Sequence, residues 1–397
     1  MGNPTGPLAY FNARDRLRSL FPQMKSIAKE AGDFIRAADL VLREKERAGA
    51  DTSCARAALI ELSWRVGSAT EIDAAVACLN YCRTLVASTA PAPVTQQDDE
   101  GSFGPCVTQW FLKLDRSTDQ LLHPADWPRA KPFDFLRKID APEVMEAYLE
   151  RLVQSDLPQG RDNRKELNLT VSVISRLVLR GGIDGRLAGP RFTLAFRDFL
   201  NRWQDPQTGF FCVSYVDGAA TIKTIDLSLT FHMARYLKGA VDYWPQLIQT
   251  LLDTKDAAYP QGWLDGGVSM TNHNNYDVAE LFRLGWNAMS DGQRIVATTQ
   301  IQRMLNWCLT MGLTSQGEVI DYTSGDSLPD CYYFAAAFLV TIGYFGTSRP
   351  FWSDTSFPQA QALRGAMLAR LQDFNQQLPE VIRTKEILSA PDALLIT

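Results

Sequence analysis

A short polar turn built around a glycine recurs along most of the chain, and it limits the folds open to this sequence. The five turn glycines are Gly101, Gly160, Gly209, Gly262 and Gly317. They follow one another at intervals of 59, 49, 53 and 55 residues. A period near fifty residues accommodates two helices and two turns, so the repeat predicts stacked helical hairpins.

Between these turns the apolar residues recur with helical spacing. Leu17, Leu20, Phe21, Met24 and Ile27 illustrate the spacing near the start of the chain. The 397-residue chain is 46% hydrophobic and 10% aromatic, which is typical of a folded globular protein and excludes disorder for most of its length. We therefore predict an all-α fold class.

The second half of each unit also repeats in the last three copies. Asp226, Asp277 and Asp330 follow the turn glycine by 17, 15 and 13 residues, and each precedes an apolar segment that we predict to be an inner helix. The intervening loops of 12 to 16 residues are longer than the turns of open helical arrays, and long ordered loops usually carry function. We predict a closed α/α toroid of about five to six helical hairpins.

Composition divides the chain into three parts. Residues 1–90 are predicted to form an N-terminal helical segment, and 91–100 a linker rich in Pro, Ala, Gln and Asp. Residues 101–397 are predicted to be the toroid domain.

The seven cysteines are odd in number and scattered, which predicts no disulfide framework and a reducing, cytoplasmic location. Cys78 and Cys82 are interpreted as two small buried thiols of one helix rather than a metal pair. The sequence begins without a secretion-signal pattern, and the apolar stretch 331–345 is too short to span a membrane. A net charge of −5 argues against nucleic acid as the main partner.

The turn that reads Gln-x-x-x-x-Gly-Phe-Phe at 204–211 and the turn Asp-Asp-Glu-Gly-Ser-Phe-Gly at 98–104 resemble those of the terpenoid cyclase and protein prenyltransferase α/α-toroid superfamily. Long loops with Asp, His, Tyr and Trp resemble the toroids of glycoside hydrolases, polysaccharide lyases and sugar epimerases. The cyclase motifs Asp-Asp-x-x-Asp and Asp-x-Asp-Asp are missing from the chain. The resemblance covers 97–345 and implies a carbohydrate-active enzyme, a hydrolase or lyase, with its site in the central cavity of the toroid.

The segment 271–277, Thr-Asn-His-Asn-Asn-Tyr-Asp, concentrates an imidazole, a phenol, a carboxylate and amides. In a lyase, an amide would stabilise the enolate of a uronic acid while His or Tyr moves protons. In a hydrolase, two carboxylates would act as acid and base. The candidate catalytic residues are Asp226, His232, His273, Tyr276, Asp277 and Asp330, with Glu318 and Asp326 as weaker alternates. Candidate substrate-binding residues are Trp203, Trp263, Asn274, Asn275 and Tyr332.

Other interpretations remain open at this stage. The three aspartates also suit helix N-caps, and Asp277 with Glu280 resembles a capping box. No cofactor is expected, although a zinc site formed by His232, His273 and a carboxylate is an alternative. The expected partner is a small-molecule or oligosaccharide substrate. An isoprenoid or terpenoid cyclase and a non-enzymatic binding scaffold are the alternative functions.

Overall fold

The computed structural model describes residues 11–88, 97–103, 106–120, 131, 133–134, 136, 139–179, 189–320, 325–346 and 350–391. The chain divides into two compact units. The first comprises Met1–Val41, Thr52–Asp205 and Phe211–Leu229, and the second comprises Leu42–Asp51, Pro206–Phe210 and Thr230–Thr397. Of the predicted linker 91–100, only residues 97–100 lie among the described residues.

The first unit contains the early helices and a small sheet. The helices are α1 (Ala13–Leu20), most of α2 (Met24–Arg47), α3 (Ser53–Arg65), α4 (Ile72–Ala87), α5 (Trp110–Gln120), α6 (Pro142–Val153), α7 (Arg164–Leu179) and α8 (Pro190–Trp203). The strands are β1 (Gln154–Asp156), β2 (Cys212–Asp217) and β3 (Ala220–Ile225). Helix α3 packs on α4, α5 on α7 and α6 on α8.

The second unit contains the later helices. After α9 (Leu227–Tyr236), which begins in the first unit, they are α10 (Trp244–Asp253), α11 (Asn272–Gly285), α12 (Asp291–Trp307), α13 (Leu328–Thr341), α14 (Ala360–Arg370) and α15 (Pro379–Ser389). Helix α11 packs on α13 and α13 on α15, while α10 packs on α12. These contacts join alternate helices of the chain.

The described residues are mainly helical, which confirms the predicted mainly-α class. The closure of the hairpins into a toroid stays a prediction. None of the described helices combines the length and the apolar character needed to cross a membrane.

Several helix starts follow from local sequence. The Asn12 side chain accepts a hydrogen bond from the backbone N–H of Asp15 and so caps α1. Ser290 and Gln293 form a capping box that begins α12. Pro190, at the first position of α8, supplies a backbone angle that suits a helix start.

The predicted long loop after Gly209 is instead a β-hairpin. Strands β2 and β3 pair antiparallel, and β1 adds to β2 in parallel. The sequence carries a signal for this hairpin, because Gly218, with a positive φ of 65°, begins the two-residue loop between two segments rich in β-branched residues.

Four of the five turn glycines share a backbone conformation that favours glycine. Gly101, Gly160, Gly209 and Gly317 all have φ between 71° and 81°, a region in which residues with a side chain are strained. A Cβ atom on Gly209 would lie 2.4 Å from the backbone nitrogen of Leu247. At Gly209 the turn therefore needs glycine both for its backbone angle and for close approach to α10, whereas Gly262 shares only the close approach to neighbouring backbone.

Cysteine pairing differs from the expectation. Cys54 at the start of α3 and Cys106 form a disulfide, with their Cα atoms 5.5 Å apart. Scattered spacing in the sequence concealed this pair, because its partners are brought together only by the fold. The sequence analysis, which expected no disulfide framework, did not anticipate this single pair.

Replacing Gly317 by alanine is expected to lower the free energy of unfolding by about 1–3 kcal/mol. Gly317 has a φ of 72°, and an added Cβ would lie 2.6 Å from the backbone nitrogen of Met367 in α14. The control is Gly365→Ala in the same helix, where an added Cβ meets nothing within 4 Å. This control should gain about 0.5–1 kcal/mol from helix propensity. Urea unfolding of both variants checks the pair, and equal effects would contradict the explanation.

Candidate active site

The first two turns of α11 hold the candidate residues of segment 271–277. The Thr271 side chain caps the helix by accepting a hydrogen bond from the backbone N–H of Asn274. The helix therefore begins at Asn272, and His273, Tyr276, Asp277 and Glu280 follow at positions that share one helix face. Asp277 lies inside the helix, so the predicted capping box of Asp277 and Glu280 was wrong.

The three repeated aspartates occupy three different positions. The Asp226 carboxylate accepts a hydrogen bond from the backbone N–H of Leu229 and precedes α9. Asp277 lies in the second turn of its helix, and Asp330 is the third residue of α13. The predicted equivalence of these residues at inner-helix starts was therefore wrong.

His273 is held by a carboxylate and an aromatic ring. Its Nδ1 lies 3.0 Å from Oδ2 of Asp326, and its ring stacks on Phe334 of α13 at a centroid distance of 3.8 Å. Burial disfavours the charged imidazolium, but the Asp326 carboxylate outweighs it and raises the pKa of His273 to about 9. The side chain keeps 25% of its surface exposed, so this cation is accessible.

Asp277 is fully buried one helical turn from His273. The Tyr259 hydroxyl donates a hydrogen bond of 3.0 Å to Oδ2, whereas Oδ1 has no hydrogen-bond partner among the described residues. Burial raises the pKa of Asp277 to about 7, against the opposing effects of His273 and the Tyr259 hydrogen bond. The carboxyl group is therefore partly protonated near neutral pH.

Tyr333 lies between two guanidinium groups. Arg235 of α9 donates a hydrogen bond of 2.9 Å to the Tyr333 hydroxyl and also lies 5.1 Å from the centre of the Tyr276 ring. Arg383 of α15 lies 5.4 Å from the centre of the Tyr333 ring. Burial tends to raise the pKa of Tyr333, but Arg235 and Arg383 outweigh it and lower the pKa below its usual value of 10.

The Asp330 carboxylate is hydrogen-bonded at the start of its own helix. Ser327 donates a 2.7 Å hydrogen bond to its carboxylate, and the two residues form a capping box. Burial and the neighbouring Asp326 carboxylate raise the pKa of Asp330 to about 6. Tyr332, the next tyrosine candidate, is buried against Phe374 at a centroid distance of 5.3 Å.

The remaining candidates of the second unit have structural contacts. His232 is half-buried and its ring stacks on Tyr236 at a centroid distance of 5.8 Å. The Asn274 amide donates to the backbone carbonyl of Ser269. Trp263 and Asn275 are completely buried, so they lie in the interior rather than on a sugar-binding surface.

Two candidates belong to the first unit. Asp226 is fully buried and forms a two-point ion pair with Arg164 of α7. Trp203 is buried, and its indole donates a 2.7 Å hydrogen bond to the backbone carbonyl of Cys212. The indole thereby fastens the end of α8 to β2.

The sequence analysis missed three contributors, Tyr333, Arg383 and Arg235. Arg235 shows why they were missed. An arginine in a short amphipathic helix is usually solvated, and only the fold brings it to the tyrosines of α11 and α13. Its position three residues after His232, on the same face of α9, is the signal that was available.

Taken together, α11 and α13 carry an imidazolium, a partly protonated buried carboxyl group and a phenol of lowered pKa. Within the described ranges, no three His, Cys, Asp or Glu side chains gather in a way that would hold a metal ion. No protein-family model, curated protein or solved structure matches the chain. The function must therefore be inferred from the side chains of the site.

Asp277→Asn is expected to stabilise the protein above pH 7. Because the pKa of Asp277 rises from 3.8 to about 7 on folding, the wild type loses stability as the pH increases from about 4 to 7. The amide has the same shape and never ionises. Thermal unfolding at pH 4 and pH 8 checks this, with a gain of several degrees at pH 8 only. An equal gain at both values would contradict the assignment.

The His273–Asp326 pair should also make the free energy of unfolding fall as the pH increases, but over a higher pH range than Asp277 does. A pKa raised from 6.5 to about 9 means that the stabilisation is complete below pH 6.5 and is lost as the pH increases through about 9. In His273→Gln and in Asp326→Asn, this loss between pH 6.5 and 9 should disappear. Urea unfolding across that range measures it, and a persistent slope in both variants would exclude the pair as its source.

Proposed function

We propose that this protein is a carbohydrate-active enzyme of the lyase type, which cleaves chains containing uronic acids by β-elimination. The observation that carries the proposal is the Tyr333 phenol between Arg235 and Arg383. Two cations that lower the pKa of a tyrosine favour its phenolate, which is the form that acts as a base.

β-Elimination makes three chemical demands on a site. A base must remove the proton next to the uronate carboxylate, positive charge must stabilise the resulting enolate, and an acid must protonate the leaving glycosidic oxygen. Each demand corresponds to a group on the inner faces of α9, α11, α13 or α15.

Tyr333 is assigned the role of base, with Arg235 holding its oxygen at 2.9 Å. The guanidinium groups of Arg235 and Arg383 supply positive charge for the substrate carboxylate and for the enolate. His273 is assigned as the acid, because the imidazolium is the main form at neutral pH and is partly exposed. Asp326 orients the ring through Nδ1, which leaves Nε2 for the leaving oxygen.

The proposal also includes the closure of the helices into a toroid. Side-by-side contacts of α11 with α13 and of α13 with α15 support a ring in which these helices form the inner wall. The polar groups of the site then line the central cavity, and the long loops surround its opening.

Hydrolysis is the second candidate, and one observation favours it. Asp277 and Asp330 have raised pKa values of about 7 and about 6, as the general acid of a glycosidase requires. Complete burial of Asp277 weighs against direct contact with a sugar, so elimination is preferred.

The test is an assay of the purified protein on a panel of polyuronates and neutral glucans. Elimination creates a carbon–carbon double bond next to the carboxylate, so ultraviolet absorbance should rise with the polyuronates only. Tyr333→Phe and His273→Gln should each lower kcat by about 10²–10⁴-fold. Tyr344→Phe, in the same unit but in contact with Phe345 and Phe357, should keep the wild-type rate.

The outcomes separate the candidates. New reducing ends without ultraviolet absorbance would replace elimination by hydrolysis. Unchanged turnover in both Tyr333→Phe and His273→Gln would overturn the residue assignment, and no turnover of any polysaccharide would overturn the carbohydrate proposal.

A further inference from the structure

The first unit contains a group of positively charged side chains that takes no part in the proposed elimination. Arg14 belongs to α1, and Arg164 and Lys165 are the first two residues of α7. The amino-terminal end of a helix already carries partial positive charge, so cations at that end are unfavourable unless negative charge lies close to them. These residues therefore raise the question of what balances their charge.

The start of α1 lies against β2. The Phe11 ring contacts the Tyr215 ring at a centroid distance of 5.2 Å, and Arg16 forms a two-point ion pair with Asp217 at 2.7 and 2.9 Å. Tyr215 and Asp217 are two residues apart and so lie on one face of the strand. Arg14 lies between Phe11 and Arg16 in the chain, which brings it to this face.

The start of α7 is fixed by polar contacts. Asp162 accepts a 3.1 Å hydrogen bond from the backbone N–H of Arg164, whose guanidinium forms the two-point ion pair with Asp226. Lys165 donates a 3.2 Å hydrogen bond to the backbone carbonyl of Ile60 in α3. Arg164 is therefore balanced by a carboxylate, whereas Lys165 forms no ion pair within the described part of the chain.

The charges of α1 and α7 act on one another. Burial lowers the pKa of Arg14 against the Asp162 carboxylate, and the Arg164 cation lowers it further. Burial also lowers the pKa of Lys165 to about 7, and Arg14 and Arg164 act in the same direction. Arg14 nevertheless remains exposed to solvent, and Lys165 is half-buried. Side chains that are crowded by protein atoms and still reached by water line a recess of the surface.

Donors of this recess lack acceptors. Arg14 forms neither a hydrogen bond nor an ion pair among the described residues, and the Tyr215 hydroxyl also has no partner there. Tyr215 is only 4% exposed, and burial together with the Asp162 carboxylate raises its pKa, so the phenol keeps a proton that it can donate. A buried donor without an acceptor is unfavourable, and a bound acceptor would remove that cost.

We propose that Arg14, Lys165 and Tyr215 bind a phosphate or sulfate group, either as the free ion or as a monoester. The three donors belong to α1, α7 and β2, so they approach the ligand from different directions. A tetrahedral anion presents oxygens in several directions, whereas a carboxylate presents two oxygens in one plane. Charge-assisted hydrogen bonds to such oxygens are among the strongest in proteins.

The charge balance of the recess also favours an anion. Arg164 and Asp226 neutralise each other, which leaves Arg14 and Lys165 against the single carboxylate of Asp162. The Oδ1 atom of Asp162 is already held by the backbone of α7. A bound anion supplies the missing negative charge and favours the charged form of Lys165.

The experiment is isothermal titration calorimetry of the full-length protein with sodium sulfate at pH 6 and low ionic strength. Saturable binding of one ion per chain is expected. Arg14→Gln and Lys165→Gln should each weaken it by about tenfold or more, and Tyr215→Phe by about threefold to tenfold. The control Lys29→Gln, which removes an exposed cation of α2, should bind sulfate like the wild type.

Two results would overturn the proposal. One is the absence of saturable binding to the wild type. The other is equal affinity in Arg14→Gln and Lys29→Gln, since both remove one positive charge from an exposed position and only Arg14 belongs to the recess.

A comparison of ligands tests the class of anion. Acetate should bind about tenfold more weakly than sulfate, and equal affinity would contradict a site for a tetrahedral anion. Inorganic phosphate and phenyl phosphate distinguish the two sources of the ligand. Tighter binding of phenyl phosphate identifies a monoester, and tighter binding of inorganic phosphate identifies the free ion.

The pH dependence tests the contribution of Lys165. Because its pKa is about 7 and sulfate does not titrate in this range, the affinity for sulfate should fall by about tenfold between pH 6 and pH 9. The other charged groups of the recess are Arg14, Arg164, Asp162 and Asp226, and Lys165→Gln retains all of them. The fall should therefore be absent from Lys165→Gln, and a fall that persists in this variant would exclude Lys165 from the site.

Discussion

The packing of α11 against α13 determines the chemistry of the second unit, because it buries ionisable side chains where water cannot stabilise their charges. His273 of α11 stacks on Phe334 of α13 at this interface, and Asp277 is fully buried one turn further along α11. Once water is removed, the charge of each group depends on its few neighbours. The Asp326 carboxylate therefore raises the pKa of His273, whereas the guanidinium groups of Arg235 and Arg383 lower the pKa of Tyr333.

These buried groups reduce the stability of the fold. Asp277 leaves one carboxylate oxygen without a hydrogen bond, and Asn275 leaves both polar atoms of its amide unpartnered among the described residues. Buried polar atoms of this kind usually cost about 1–3 kcal/mol each unless ordered water binds them. A helix built only for stability would carry apolar side chains there, so their presence supports a functional role for α11.

Part of this architecture was predictable from the sequence. The helical spacing and the glycine turns predicted the mainly-α class, whereas the role of segment 271–277 stays a prediction. The start of α11 was misplaced because Thr271, rather than Asp277, caps it. Both are good capping residues, and only the backbone decides between them. The Asp217-Gly218 hairpin was missed because the repeat argument assigned the whole stretch to a loop.

Pairings between distant segments were beyond sequence reasoning. Asp326 joins His273 across 53 residues, and Arg235 joins Tyr333 across 98. Nothing local distinguishes these partners from solvated residues, since their contacts depend on how the helices lie side by side. The Cys54–Cys106 disulfide was missed for the same reason.

The glycine turns have a consequence for how such a chain can change length during evolution. At Gly209 and Gly317 the backbone touches a helix so closely that one added carbon atom would collide with it. An insertion or deletion there would displace that helix. A change in repeat length that leaves these helices in place must therefore fall outside the glycine turns, in the connections that follow them.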